Sequence, residues 1–367
     1  MKLRKVMALT LAGAMTAATL TACGGGADET TAAAAGADKE TTAAAEDKET
    51  TAAAADSGSA DAEVVLQVAF ENSITEPVGE GWTKAQEIIK EKSGGKMAIE
   101  VYPDSQLGDK SSLIDSMLLG ENVCTLADGA FYADYGVPDF GIVFGPFLFD
   151  SWDQVWKLVD SDWYKEQCDK LEEKGLKIIA SNWIYGERHT LTNVPVNTVD
   201  DLKGLKIRVQ DMKSQTDMMK ALGGIPVAMS YGDVYTSLQT GIIDGTENNE
   251  TALTTGKHGE ICKVYSTDQH AMIPDVMVMS EKVWKNISPE DQQIILEAAR
   301  ESTEQHKIAW DAAIDQAIEE AKTTMGVEFV NDVDKEAFRE ATSGMISDYC
   351  EQYPGVKKLL DIIDSVE

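Results

Sequence analysis

The chain has 367 residues and sets 63 Asp and Glu against 32 Lys and Arg, a formal charge of −31. So acidic a surface repels phosphate backbones and anionic headgroups, which excludes nucleic acid and anionic lipid as partners. Five cysteines without a C-x-x-C spacing, and only four histidines, offer little to a zinc or thiol redox centre, so no cofactor is expected.

Lys2, Arg4 and Lys5 precede an apolar run over 6–20 and the tetrapeptide Leu20-Thr21-Ala22-Cys23. The run is shorter than the roughly 20 residues of a spanning helix, and the small residues at its end suit a peptidase. Residues 1–22 are therefore expected to be a lipoprotein signal peptide, with Cys23 the lipidation site that holds the exported protein at the outer face of the cell membrane. Two acyl chains anchor a protein stably where one does not. Loss of Lys2, Arg4 and Lys5 takes the charge to −34. Residues 24–63 contain no aromatic residue and no Leu, Ile, Val or Met, and stutter through Glu29-Thr30-Thr31-Ala32, Glu40-Thr41-Thr42-Ala43 and Glu49-Thr50-Thr51-Ala52. With no core to build, 23–63 reads as a disordered tether with a reach of about 35 Å.

The remaining length suits two lobes, and two lobes imply a cleft. A strand over 64–70, a helix over 80–92 closed by Ser93-Gly94-Gly95, a strand over 97–102, a turn over 103–108, a helix over 111–119 and a strand over 123–126 alternate as a parallel α/β sheet does. A stretch rich in aromatic residues follows, with Phe140, Phe144, Phe147 and Phe149, then a helix from Trp152 and a strand over 176–180 that completes the first lobe. A second cycle starts at Arg188, with strands over 205–209 and 226–229 and helices over 214–222 and 231–240. Ser288-Pro289-Glu290-Asp291 combines a capping Ser, Pro at the first position and acids in the first turn. No Gly or Pro intervenes before Gly326, so a helix of roughly 36 residues, about 54 Å, is expected to brace both lobes; the alternative is two helices broken near Gln305.

No G-x-S-x-G, H-E-x-x-H, P-loop or Gly-rich dinucleotide turn is present. In an acidic protein an anion must be held by locally concentrated cations, so arginine in an apolar setting is informative. Leu205-Lys206-Ile207-Arg208-Val209 is such a place: its odd positions are apolar and face a core, while Arg208 faces elsewhere.

The stretch Asp200-Asp201-Leu202-Lys203-Gly204-Leu205-Lys206-Ile207-Arg208-Val209 resembles the carboxylate-binding segment of DctP-type binding proteins of TRAP transporters. Leu222-Gly223-Gly224-Ile225-Pro226-Val227-Ala228-Met229, Asp233-Val234-Tyr235, Leu238-Gln239-Thr240-Gly241 and Ile243-Asp244-Gly245-Thr246-Glu247-Asn248 follow in the family's order. Ser93-Gly94-Gly95-Lys96 and Tyr102-Pro103-Asp104-Ser105-Gln106-Leu107-Gly108 fit upstream. The resemblance spans 64–353 and implies an α/β, two-lobed periplasmic-binding-protein-like fold with a hinge and a long C-terminal helix bridging both lobes. Lobe I is placed at 64–185 and 274–313, lobe II at 186–273 and 314–367.

Carried over by residue, the resemblance implies that Arg208 clamps a ligand carboxylate with its planar fork, which matches the two oxygens better than a lysine would. Arg188 corresponds to a second arginine, Asn248 to a ligand-bonding amide and Tyr231 to a residue lining the cleft; Asp128, Glu71 and Asn72 form the opposite wall. The chain departs from the family at Glu247-Asn248-Asn249, where Glu-Asn-Pro is usual, so the backbone after Asn248 is expected to differ. His189 and His270 read as hydrogen-bonded structural residues, and Trp183, Tyr185, Phe131 and Phe149 mainly as core.

The activity implied is non-enzymatic: a monomer captures a small carboxylate, closes, and delivers it to the small and large membrane subunits of a TRAP transporter. Two arginines could hold a C4-dicarboxylate, but Glu71 and Asp128 would repel a second carboxylate and accept sugar hydroxyls, which favours a uronate-like acid. The alternatives are a lipoprotein serving an ATP-driven importer or a sensor kinase and, in another class, an exported hydrolase, for which no activated nucleophile is in view.

Overall fold

The computed structural model describes residues 62–365; the signal peptide, Cys23 and nearly all of the tether lie outside the described residues. Among the described residues one nine-stranded sheet runs in the order Met97–Tyr102, Val64–Ala69, Val123–Ala127, Val264–Ser280, Leu176–Thr192, Gly245–Asn248, Lys206–Val209, Ile225–Ala228, with Glu328–Val330 beside Val264–Ser280.

The first half is the expected alternation: β1 (Val64–Ala69), α1 (Pro77–Lys92), β2 (Met97–Tyr102), α2 (Lys110–Leu119) and β3 (Val123–Ala127). β1 pairs parallel with both β2 and β3. α2 starts where the Asp109 carboxylate accepts from the Ser112 N–H, and stops at Gly120, whose φ of 98° lets the chain turn out of the helix. The helix expected from Trp152 is two, α3 (Trp152–Val159) and α4 (Asp162–Glu173), because Ser151 and Ser161 each cap a new start.

The short strand expected at 176–180 is instead β4 (Leu176–Thr192), 17 residues that do not stop at the end of the first half. Its antiparallel partner is β8 (Val264–Ser280), also 17 residues. The sheet is thus parallel in its wings and antiparallel across its middle. Four register shifts interrupt the β4–β8 ladder, and such irregularities bend and twist a pair so that one strand serves two wings. Gly186, at one of them, has φ of 127°, and a Cβ there would meet Asn249 and Trp310 at 3.3 Å.

The second wing contains β5 (Lys206–Val209), α5 (Lys213–Ala221), β6 (Ile225–Ala228), α6 (Val234–Gln239), β7 (Gly245–Asn248) and α7 (Thr251–Thr254). β5 runs parallel to both β6 and β7. The expected helix over 231–240 opens as a 3-10 turn at Tyr231–Asp233 before α6. α8 (Glu281–Trp284) leads to α9 (Pro289–Thr323), one unbroken helix of 35 residues capped by Ser288. Its first half buries Ile295, Ala298 and Ala299 against the α1 core, and its far end buries Ala321 with Leu191, Leu238 and Leu253. The helix therefore braces both wings. After β9 (Glu328–Val330), α10 (Lys335–Gln352) places Phe338 and Met345 over Ile207 and Val209, and α11 (Pro354–Ile363) returns Leu359 and Ile363 to the core that holds Val155 and Leu158 of α3. The four cysteines of the described region are free thiols, and burial pushes Cys124, Cys168 and Cys262 up to about 12, which leaves them protonated.

Candidate functional site

In an open α/β sheet the crevice lies beyond the carboxyl ends of the parallel strands. Here those ends are Glu71 and Asp128 after β1 and β3, and Gln210, Met229 and Asn248 at β5, β6 and β7. A cleft of about 340 Å³ opens between the wings, with Glu71, Lys110 and Phe131 on one wall and Arg208, Gln210 and Met229 on the other.

Arg208 is 3 % exposed, and burial works against its charge, the largest relief coming from Glu247. Nε and Nη2 both donate to the Met229 carbonyl, at 3.1 and 2.9 Å. Among the described residues no carboxylate forms an ion pair with it. One carbonyl thus occupies the side edge of the guanidinium and leaves the end-on pair of N–H groups for a ligand. A pair of parallel N–H groups of this kind can meet the two oxygens of a carboxylate.

Arg188 lies deeper and is differently employed. It is 1 % exposed, and its Nε and Nη2 grip the Glu247 carboxylate side by side, Nη2 reaching Oε1 at 2.7 Å. Nη2 also donates to the Glu247 carbonyl, and Nη1 lies 3.3 Å from Asn248 Oδ1. The network continues: His270 touches Glu247 through Nε2 at 3.2 Å and Asp268 through Nδ1 at 3.1 Å, and Asp268 accepts from both the backbone and the hydroxyl of Thr190. His270 is held up at about 9 by its two carboxylates, against its burial, while Arg188 and His270 hold Glu247 down at about 2. Two cations and two anions cancel. His189 accepts from the Gln269 N–H, so both histidines serve structure.

Asn248 Oδ1 accepts from the Tyr185 hydroxyl at 2.7 Å and the Asn249 N–H at 2.9 Å. The second bond needs a residue other than proline after Asn248. Asn249 also donates from Nδ2 to the Tyr185 carbonyl and accepts from the Thr251 hydroxyl. The departure from Glu-Asn-Pro therefore adds a backbone donor to the Asn248 Oδ1, and the Asn248 NH2 group donates no hydrogen bond among the described residues.

Asp128 caps the short 3-10 helix over 129–135 through the Ala130 N–H, and its other oxygen lies 3.4 Å from Gln210 Nε2. Gln210 Oε1 in turn faces Lys110 Nζ at 3.5 Å, so one amide joins the two walls. Lys110 also lies 3.6 Å from Glu71. Tyr231 packs on the His258 ring at 5.6 Å, close enough to Arg208, Glu71 and Glu76 for their charges to act on its hydroxyl. Asn72 turns away to donate to Glu76 at 2.8 Å. Of the aromatic residues, Phe131 reaches the cleft wall and Tyr185 touches Asn248, while Trp183 and Phe149 are core.

Lys110, Gln210, Glu76 and Asp275 are not among the site residues expected from sequence. Asp275 carried a signal, since it is the one charged residue in the apolar run 271–279. Lys110 directly follows Gln106-Leu107-Gly108-Asp109, but nothing local separates it from a solvated lysine.

Two wings joined by long continuous strands, with a cleft at their strand ends and a buried cation held ready in it, define a binding protein of the extracellular solute-capturing class. Residues 68–352 match the pattern of bacterial extracellular solute-binding protein family 7, the DctP family, and the chain belongs to that family. It is 30 % identical over 314 residues to the 2,3-diketo-L-gulonate-binding periplasmic protein YiaO of Escherichia coli K12, covering 85 % of this chain and 94 % of the relative. A TRAP periplasmic solute-binding protein of Actinobacillus succinogenes 130z, solved with L-galactonate, superposes with a TM-score of 0.77 at 33 % identity, covering 82 % of this chain and 99 % of that one. A second, from Anaerococcus prevotii with α/β D-glucuronate, gives 0.77 at 32 % identity, covering 82 % and 97 %. These relatives are binding proteins that work outside the cytoplasm.

Proposed function

We propose that the protein captures a hydroxylated monocarboxylate, a sugar acid of the uronate or aldonate kind, and delivers it to a TRAP-type membrane transporter. The observation that carries the reading is Arg208, buried at the cleft with no protein partner on its end-on fork among the described residues, while Arg188 is neutralised by Glu247. One uncompensated guanidinium suits one carboxylate. Around it stand Glu71, Asp128 and the Gln210 amide, which accept or share hydroxyl hydrogens. The two solved relatives hold L-galactonate and D-glucuronate, acids of this kind. Asn248 presents its NH2 to the ligand, Tyr231 packs on it, and Arg188 contributes mainly by placing Asn248. Closure joins lobe I, 64–185 and 274–313, to lobe II, 186–273 and 314–367, about the β4–β8 crossing, and the closed form docks on the small and large membrane subunits as a monomer.

A thermal-shift screen of uronates, aldonates and C4-dicarboxylates tests the reading. A ligand at 100 times its Kd adds roughly 2.7 kcal/mol to the folded state. Sugar acids are expected to raise the melting temperature and succinate or malate to leave it unchanged; a screen led by a C4-dicarboxylate, or by no acid, overturns the assignment.

The anchor is a separate proposal, based on Leu20-Thr21-Ala22-Cys23. Cys23→Ser is expected to move the protein from the membrane fraction to the soluble one. Retention of that variant on membranes after a salt wash would remove lipidation from the account.

A further inference from the structure

A second chamber of about 20 Å³ lies between the start of α1, the middles of β4 and β8, and α9, and Asp275 on its wall lies close enough to Lys110 and Asp128, at the cleft, for their charges to act on it. Asn72, Glu76, Tyr185, Asp275, His306 and Trp310 are among its walls. Most of their polar atoms are already engaged. Glu76 accepts from Asn72, from the Ser73 N–H and from the Thr251 hydroxyl of the opposite wing, and Trp310 Nε1 donates to the Tyr185 carbonyl. Two groups are left over. Asp275 is 8 % exposed and makes no side-chain hydrogen bond among the described residues. His306, whose ring stacks on Trp183 at 4.7 Å, has its Nδ1 buried without a hydrogen-bond partner among the described residues.

Buried polar groups are normally satisfied, and a space of this size takes one water or one hydroxyl group if two to four polar partners surround it. Asp275 stands where such a group would be met. The charged and titratable residues facing it are Lys110 from α2, Asp128 beyond β3, Tyr132 from the 3-10 helix after it, Glu76 ahead of α1, Tyr185 from β4 and His306 from α9. Lys110, the one cation of that set, is shared with Glu71. His306 is held neutral, since burial lowers it to about 3.

We infer that Asp275 determines specificity for the end of the ligand remote from Arg208: it receives a hydroxyl group there and rejects a second carboxylate. This rests on the sugar-acid reading above and deepens it. With Glu76 and Asp128 beside it, an ionised Asp275 makes the inner end of the site anionic, so like charge entering this poorly screened space is repelled. A hydroxyl donates into it and fills the unmet acceptor. Burial raises the Asp275 carboxyl to about 7, so the rejection is strongest in alkaline solution and weakens as the group gains its proton.

Calorimetric titration of the mature soluble chain with D-glucuronate and D-galacturonate, against D-glucarate and galactarate, tests this. Each aldarate keeps the carbon skeleton and adds the second carboxylate. The wild type is expected to prefer the uronate by at least about tenfold at pH 8.5, a margin of the size that one close like-charge contact produces, and to lose much of that preference at pH 5.5. Asp275→Asn should show the reduced preference at both pH values, and Asp275→Glu should retain the rejection. An Asp275→Asn protein with wild-type preference and pH response overturns the inference alone; a wild type that binds neither kind of acid overturns the sugar-acid reading with it. Should Asp275→Asn fail to fold, a wild-type preference that does not change between pH 5.5 and 8.5 is sufficient to overturn it.

Discussion

Arg208→Ala is expected to abolish measurable capture of the acid ligand while leaving the unliganded protein intact. The Arg208 guanidinium is buried against one carbonyl and lacks a carboxylate partner among the described residues, so it adds little to the fold. With ligand bound it would face a desolvated carboxylate, and truncating one partner of such a pair costs about 2 to 5 kcal/mol, roughly thirty- to several-thousand-fold in affinity. Arg208→Lys discriminates between a clamp and simple attraction. A lysine keeps the charge but has a single compact donor group, and it cannot bond the Met229 carbonyl with one edge while presenting a parallel pair with another. The measurement is calorimetric titration with the best acid from the screen, on variants whose melting without ligand matches the wild type. Wild-type affinity in Arg208→Lys would mean that charge alone suffices. Wild-type affinity in Arg208→Ala would remove Arg208 from the site.

The parts of this arrangement that local pattern determines were legible in advance. Alternation along Leu205-Lys206-Ile207-Arg208-Val209 put Arg208 on the opposite side from Ile207 and Val209, which lie in the core, and Ser288-Pro289-Glu290-Asp291 announced α9. The long β4–β8 crossing was not legible, for a physical reason. Its register shifts break the two-residue period, and Gly186-Glu187-Arg188-His189 looks like a polar turn until β7 and β8 lie alongside. The same holds for the division of labour between the arginines. Nothing near Arg188 in the chain reveals that Glu247, 59 positions later, takes its charge; β4–β7 pairing sets Thr190 opposite Glu247 and thereby brings the carboxylate to Arg188. Two arginines read from sequence thus suggested two possible carboxylates, whereas among the described residues Arg188 is ion-paired with Glu247 and Arg208 is in no ion pair. The grouping of Glu76 and Asp275 at one chamber was not legible either, because the two come from separate elements, one ahead of α1 and one in the middle of β8.

Glu247→Gln should be the most destabilising of the substitutions considered, because it breaks the network that holds β4, β7 and β8 together at their polar centre. The amide keeps the shape, yet Arg188 cannot give up its proton and is left buried without its counterion. Removing one partner of a buried pair costs about 3 to 5 kcal/mol, which for a chain of this size lowers Tm by roughly 5 to 15 °C. Replacing both, as Arg188→Met with Glu247→Leu, should recover much of the loss, since neither charge then remains to be solvated. The pH dependence follows from the same groups. Glu247, held at about 2 against its ordinary 4.5, contributes stability that is present above the ordinary value and fades as acid approaches the lower one. His270, held at about 9 against 6.5, contributes stability that is complete below 6.5 and is lost as pH rises through 9. Wild-type stability from this network should therefore be greatest between about pH 5 and 6.5 and decline on the alkaline side, and Glu247→Gln should move that decline to lower pH because His270 loses one of its two anions. Urea unfolding followed by tryptophan fluorescence from pH 5 to 9.5 gives both readings. A Glu247→Gln cost under about 1 kcal/mol, in the range of an exposed ion pair, would mean that Arg188 finds solvent or another partner, and would reopen its assignment as a second cation for the ligand.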